Sequence, residues 1–173
     1  MDDTRMTTAE VLYAIAHERE RLENAIDALG ERAETARVTD EGWTAKDALA
    51  HLIHWATQIA LGLGAPVPFP EYMMQERERR KLAGLSDDMP TGAESNALAV
   101  AHYHDVPFDD VRSTFNQIVD AIVVRAGLRT DDQMNATDAI PWAGKHPLWQ
   151  IIGGDTFLHW PLHAEPIERH VSV

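Results

Sequence analysis

The chain has 173 residues, 45% of them hydrophobic and 25% charged, which suits one buried core without staples and excludes wholesale disorder or a fibrous repeat. Its formal net charge of -13 repels phosphate backbones, whose binding depends on Lys and Arg displacing counterions, and so argues against a nucleic-acid partner. The lack of cysteine excludes disulfides, thiolate ligands and a cysteine nucleophile, so any thiol chemistry must bring its own thiol.

The opening residues, Met1 to Arg5, carry neither the basic nor the apolar region of a signal peptide. No apolar run is long enough to span a bilayer, so the expected compartment is the cytoplasm. A single domain is expected over 1–173. Its first element is an amphipathic helix: Thr7 and Glu10 have capping-box spacing, and Leu12, Ile15, Leu22, Ile26 and Leu29 recur at helical intervals as far as Gly30. After a polar joint from Val38 to Gly42, a second helix begins near Thr44. Its apolar stripe is Leu49, Leu52, Ile53, Ala56, Ile59 and Leu63, and it stops before Gly64.

Three prolines between Gly64 and Pro70 make that stretch a connector. Two short helices are expected at Glu71–Ala83 and Glu94–Tyr103, separated by a breaker segment from Gly84 to Gly92 and lying outside the main bundle. Glutamates and arginines interleave from Glu76 to Lys81, the pattern of a solvated helix face. A third long helix starts at Pro107, turns Val111, Phe115, Ile118, Val119, Ile122 and Val123 inward, and ends at Gly127. A loop with Trp142 and Gly144 leads to a fourth helix from Pro147 through Ile151, Ile152, Phe157 and Leu158 to Ile167, with Gly153, Gly154 and Pro161 inside it. No strand pair with period-two alternation is visible. The expected fold is therefore all-α: a four-helix bundle with short extra helices between helices 2 and 3.

Bundle interiors are where facing side chains assemble metal sites. His159 and His163 are four residues apart, so on a helix both imidazoles lie on one face and reach a single ion. That is half of a site. A third ligand must come from another helix, and His51 and His54, both within the second helix, are the candidates for a site of three protein ligands with a position left for water or substrate. Asp155 stands one turn before His159, where it can orient a ligand imidazole, approach the ion or act as a base. Trp55, Trp142, Trp149 and Trp160 are candidates to line the pocket, while His17, His102, His104, His146 and His170 read as surface or capping residues.

The run from Trp43 through Thr44, Lys46, Asp47 and Leu49 to His51 and Leu52 resembles the second-helix motif of the DinB-like (DinB/YfiT-like) superfamily. The run from Gly154 through Asp155, Phe157 and His159 to Pro161 and His163 resembles its last-helix motif. The resemblance spans the chain and selects His51, the histidine eight residues after the tryptophan, as the ligand that joins His159 and His163. The one departure is Pro161 between the paired histidines, which removes a helical hydrogen bond and is expected to kink the helix there. The resemblance implies a divalent ion, zinc or nickel first among the metals that imidazole accepts. It also implies activation of water or a low-molecular-weight thiol against a small electrophilic substrate, and a homodimer. The alternative function is a small-molecule binding or stress-response protein that uses the same pocket without turnover.

Overall fold

Side-chain caps mark where several of the helices begin. Thr7 accepts from the Glu10 backbone N–H while the Glu10 carboxylate accepts, at 2.7 Å, from the Thr7 N–H, closing the expected capping box of α1 (Thr8–Leu29). Thr44 and Asp47 repeat the device at α2 (Ala45–Gly62), and Thr91 and Glu94 at α4 (Gly92–Tyr103). A 3-10 turn (Gly30–Glu34) follows α1, and Gly30 leaves the helix at φ 55°, a conformation that favours glycine. The remaining helices are α3 (Glu71–Leu82), α5 (Phe108–Gly127), the one-turn α6 (Asp131–Met134) inside the expected loop, α7 (Leu148–Gly154) and α8 (Pro161–Val171).

The computed structural model describes residues 5–39, 42–85 and 90–172, and among these there is no strand. The first four of the N-terminal residues read for a leader, the middle of the 38–42 joint and the middle of the 84–92 segment lie outside the described residues. Among the described residues no helix is long and apolar enough to cross a membrane.

Helix α2 is the centre of the molecule. Twelve of its eighteen residues are buried, the pattern of a helix covered on most sides rather than one face. One side packs on α5 through Val111, Phe115, Val119 and Ile122. Val11, Ile15, Leu22 and Ile26 of α1 fill the same core, and α1 also packs on α5 and α8. Each of these large side chains, taken out of water, contributes about 1.5–3 kcal/mol. Two of the buried α2 positions are His51 and His54, polar groups that need partners at that depth.

Two expectations require correction. Of the two short helices expected outside the bundle, α4 packs directly on α2, whereas α3 packs chiefly on α4. Ser95 and Ala99 are the buried positions of α4, and Ala99 clusters with Tyr72 and Met73 of α3. An ion network ties α4 to α3, with Arg80 pairing to Glu76 at 2.9 Å and to Glu94 at 2.7 Å. The segment expected as a solvated face thus has two of its charges, Glu76 and Arg80, buried at 8% and 7% exposure. Alternating charge in sequence does not distinguish a wet face from a paired one.

The fourth long helix is also broken, into α7 and α8, with turns over residues 155–160. Phe157 folds back onto Gly153, where a Cβ would stand 2.7 Å from the Phe157 ring. The Thr156 hydroxyl donates to the Ile152 carbonyl at 2.6 Å, and Pro161 opens α8 at a first-turn position, where its missing N–H leaves nothing unsatisfied. The proline therefore starts a helix instead of kinking one.

Candidate metal centre

His51 reaches the site from the middle of α2, His159 from the turn before α8, and His163 from the first turn of α8. Their Nε2 atoms converge: 3.0 Å separates those of His51 and His159, and 3.2 Å those of His159 and His163. With metal–nitrogen bonds of 2.0–2.1 Å, such separations subtend roughly 90–105° at a common ion, between octahedral and tetrahedral geometry and with one face left open. The three histidines form a group that can hold a metal ion.

The break in the fourth helix contributes to this arrangement. Leu162 N–H donates to the His159 carbonyl, and His163 N–H to that of Trp160, so the backbone between the paired histidines is wound more tightly than an α-helix. The pair meets despite Pro161.

Nitrogen accounting supports a cation. His51 Nδ1 is 2.9 Å from the Asn96 side-chain oxygen, so it carries the proton and its Nε2 offers a lone pair to the centre. The Nδ1 atoms of His159 and His163 are buried without a hydrogen-bond partner. Three mutually facing imidazole nitrogens cannot all be satisfied by protons shared among themselves, whereas a divalent ion accepts all three lone pairs. Burial, then the neighbouring His51, pushes the His159 pKa down to about 4, and the same causes joined by His159 push His163 down to about 3. Both are neutral at pH 7, the form that ligates.

Trp43 closes one side of the centre. Its ring lies nearly parallel to His163, with centroids 6.3 Å apart and planes at 10°, and is tilted against His51 at 5.2 Å. The turn before α2 holds it in place: Trp43 N–H donates to the Thr39 hydroxyl, and Val38 N–H donates to the Trp43 carbonyl. The three histidines and Trp43 line a cleft of about 990 Å³ whose opposite wall is α4, with Ala93, Asn96, Ala97, Val100 and Ala101 facing in.

No family model matches the sequence, and no curated protein is significantly similar to it. Solved structures are similar in fold. An uncharacterised protein from Escherichia coli UTI89 superposes with a TM-score of 0.69 at 15% identity, covering 98% of this chain and 95% of its own. A protein from Streptococcus pneumoniae gives 0.68 at 14%, covering 98% and 93%. An uncharacterised protein from Clostridium difficile 630 gives 0.67 at 16%, covering 98% of each chain. At these identities the likeness is one of fold along the whole chain.

The other candidate residues lie elsewhere. His54, the rival ligand, points toward α3 and bonds through Nδ1 to the Tyr72 hydroxyl at 2.9 Å; burial lowers its pKa to about 4. Asp155 caps α7 with a half-buried carboxylate whose pKa burial raises to about 6. It does not line the cleft, and the bond to His159 that its spacing allows is not made, since His159 Nδ1 has no partner. Trp149 and Trp160 are core residues, Trp160 packing on Phe115 with centroids 5.5 Å apart, and Trp142 is 59% exposed. Trp55 stands beside the cleft and donates from Nε1 to Asn96. His104 lines the mouth of the cleft as the C-cap of α4. The residue that sequence reasoning passed over is Asn96, because nothing in a short Ala-rich helix marks an amide that will face a histidine 45 residues earlier.

Proposed function

We propose that this chain is a metal-dependent enzyme of the DinB-like superfamily, a four-helix bundle in which His51, His159 and His163 hold a divalent ion, zinc or nickel. The observation that carries the reading is the convergence of three Nε2 atoms within 3.0–3.2 Å contacts at the floor of an open cleft. A divalent ion held there supplies Lewis acidity that makes a nucleophile of water or of a low-molecular-weight thiol near neutral pH.

The protein's own part is preparation. Asn96 fixes the His51 tautomer, burial keeps His159 and His163 unprotonated, and Trp43 excludes water from one side of the centre. The remaining face opens to a cleft of a size to hold a small electrophilic substrate.

Elemental analysis of untagged protein tests the reading. Near-stoichiometric zinc or nickel in the wild type, lost in the His159→Ala, His163→Ala double variant, is the expected result and leads to a turnover screen with electrophile and thiol panels. No metal in either protein after reconstitution overturns it.

One observation favours a second reading, sequestration of a small molecule without turnover. Among the described residues the carboxylate lining the cleft is Asp105 at its solvent-exposed mouth, and no buried base stands beside the histidines. Thermal stabilisation by ligands that needs no added thiol favours this reading; a joint requirement for metal and thiol favours transfer.

A further inference from the structure

Helix α4 walls the cleft, and polar side chains fasten it to α2. The apolar residue it buries fully, Ala99, clusters with Tyr72 and Met73 of α3 and not with the main core; half-buried Tyr103, at its C-terminal end, packs against that core. Arg80 of α3 holds Glu94 at 2.7 Å, so α3 and α4 form a layer of their own. Hydrogen bonds join this layer to α2. Asn96 bonds to His51 Nδ1 and to Trp55 Nε1, both at 2.9 Å, Lys46 Nζ donates to the His104 carbonyl at 2.9 Å, and the Tyr72 hydroxyl meets His54 Nδ1 at 2.9 Å.

The bond to His51 has a fixed sense. An indole N–H only donates, so the Asn96 atom shared by Trp55 and His51 is the amide oxygen, and His51 Nδ1 carries the proton. A cation on the Nε2 lone pair of the same ring makes that N–H a stronger donor and locks the tautomer that Asn96 accepts. From this geometry we infer that occupancy of the three-histidine centre tightens α4 against α2, so that the ion orders the wall of the cleft in front of it. The inference rests on the metal reading and adds regulation to it. Linked equilibria are reciprocal: whatever factor a docked α4 adds to metal affinity, the metal returns to the docking of α4. Because α4 brings Ala93, Ala97, Val100 and Ala101 to the cleft, the metal-free protein presents a looser cleft, and a small molecule is received well only after the ion.

Amide hydrogen exchange on the full chain, with and without saturating zinc, is the test, and zinc content is measured on the same samples. Zinc is expected to slow exchange across α4 about tenfold more than across α5, whose amides report the general stabilisation. Asn96→Ala should bind zinc more weakly and, once saturated, lose that excess protection of α4. Asn96→Asp, which keeps an acceptor toward both ring nitrogens, should retain it, and shows that any loss comes from the bond and not from a disturbed helix. Bound zinc with no excess protection of α4, or an excess undiminished in Asn96→Ala, overturns this inference alone. Absence of zinc from the saturated wild type overturns the metal reading and this inference with it.

Discussion

The side-chain oxygen of Asn96 sits 2.9 Å from His51 Nδ1, joining α4 to the one candidate ligand that α2 supplies. The same oxygen accepts from Trp55 Nε1 at 2.9 Å, so the amide is held from two sides and its orientation is fixed. A helix that contributes no histidine to the group thereby sets the tautomer of one that belongs to it.

Asn96→Ala is expected to lower zinc affinity about 10–100-fold without changing which residues ligate, because His51 loses its orienting partner. Competition against a chromophoric chelator measures this. An affinity equal to that of the wild type would mean that the bond to Asn96 has no part in presenting His51.

His54→Phe separates the two histidines of α2. Metal content should stay at the wild-type level, since His54 faces Tyr72 and not the centre. Stability should fall by about 1–3 kcal/mol, because the variant leaves the buried Tyr72 hydroxyl unpaired. His51→Ala should do the reverse to metal content. Chemical denaturation and elemental analysis on the same preparations read both effects, and metal loss in His54→Phe would restore it as a ligand.

Acid should destabilise the metal-free protein early. His54 and His159 have pKa values of about 4 and His163 about 3 in the fold, all lowered first by burial, against 6.5 for an ordinary histidine. Below pH 6.5 the unfolded chain takes up protons that the folded chain refuses. Stability is therefore complete above that pH and falls as pH drops toward 4, by up to about 1.4 kcal/mol per pH unit for each histidine. Asp155 acts in the opposite sense: with a pKa raised from 3.8 to about 6, its folded form keeps a proton longer and offsets about one of these slopes between those values. Urea unfolding from about pH 7.5 to about pH 4.5 measures the net effect; a flat profile would contradict the burial of the three imidazoles.

Pro161→Ala should leave metal content intact. As a first-turn residue of α8, the proline stabilises chiefly by restricting the unfolded chain, so its loss should cost about 0.4–1 kcal/mol. A gain in metal affinity on substitution would show that the proline strains the histidine pair. Gly153→Ala is the sharper probe of the turn. The added methyl must displace the Phe157 ring, at a cost of about 1–3 kcal/mol, and should weaken metal binding because the same turn carries His159.

What the sequence disclosed and what it concealed divide along a physical line. Caps, apolar spacing and chain breakers act over a few residues, so α1, α2 and α5 were legible to within a residue or two, as was the local pairing of His159 with His163. Helical spacing alone left His51 and His54 open, because both lie on buried positions of one helix, and it was the motif resemblance that selected His51; in the fold the neighbours tell them apart, Asn96 and His159 for one, Tyr72 for the other. The place of α4 was hidden for the same reason. Its mean character is that of a short polar-and-alanine helix, and the bonds that join it to α2, from Asn96 to His51 and Trp55, form between residues more than forty positions apart. Pro161 was visible but misjudged, since a proline read as a fault in a continuous helix becomes a good start for a separate one.

His51 and His159 are 108 residues apart in the chain and 3.0 Å apart in space. In an unfolded chain, bringing those two nitrogens together means closing a very long loop, an entropic cost that one imidazole–metal bond does little to offset. An ion at this centre would thus bind the set of three only when α2 and the segment leading into α8 have already met, and its affinity would be spent almost wholly on the folded state. Metal would then serve as a clasp between the early and late parts of the chain. Availability of the ion would govern how long the finished protein survives as well as whether it reacts.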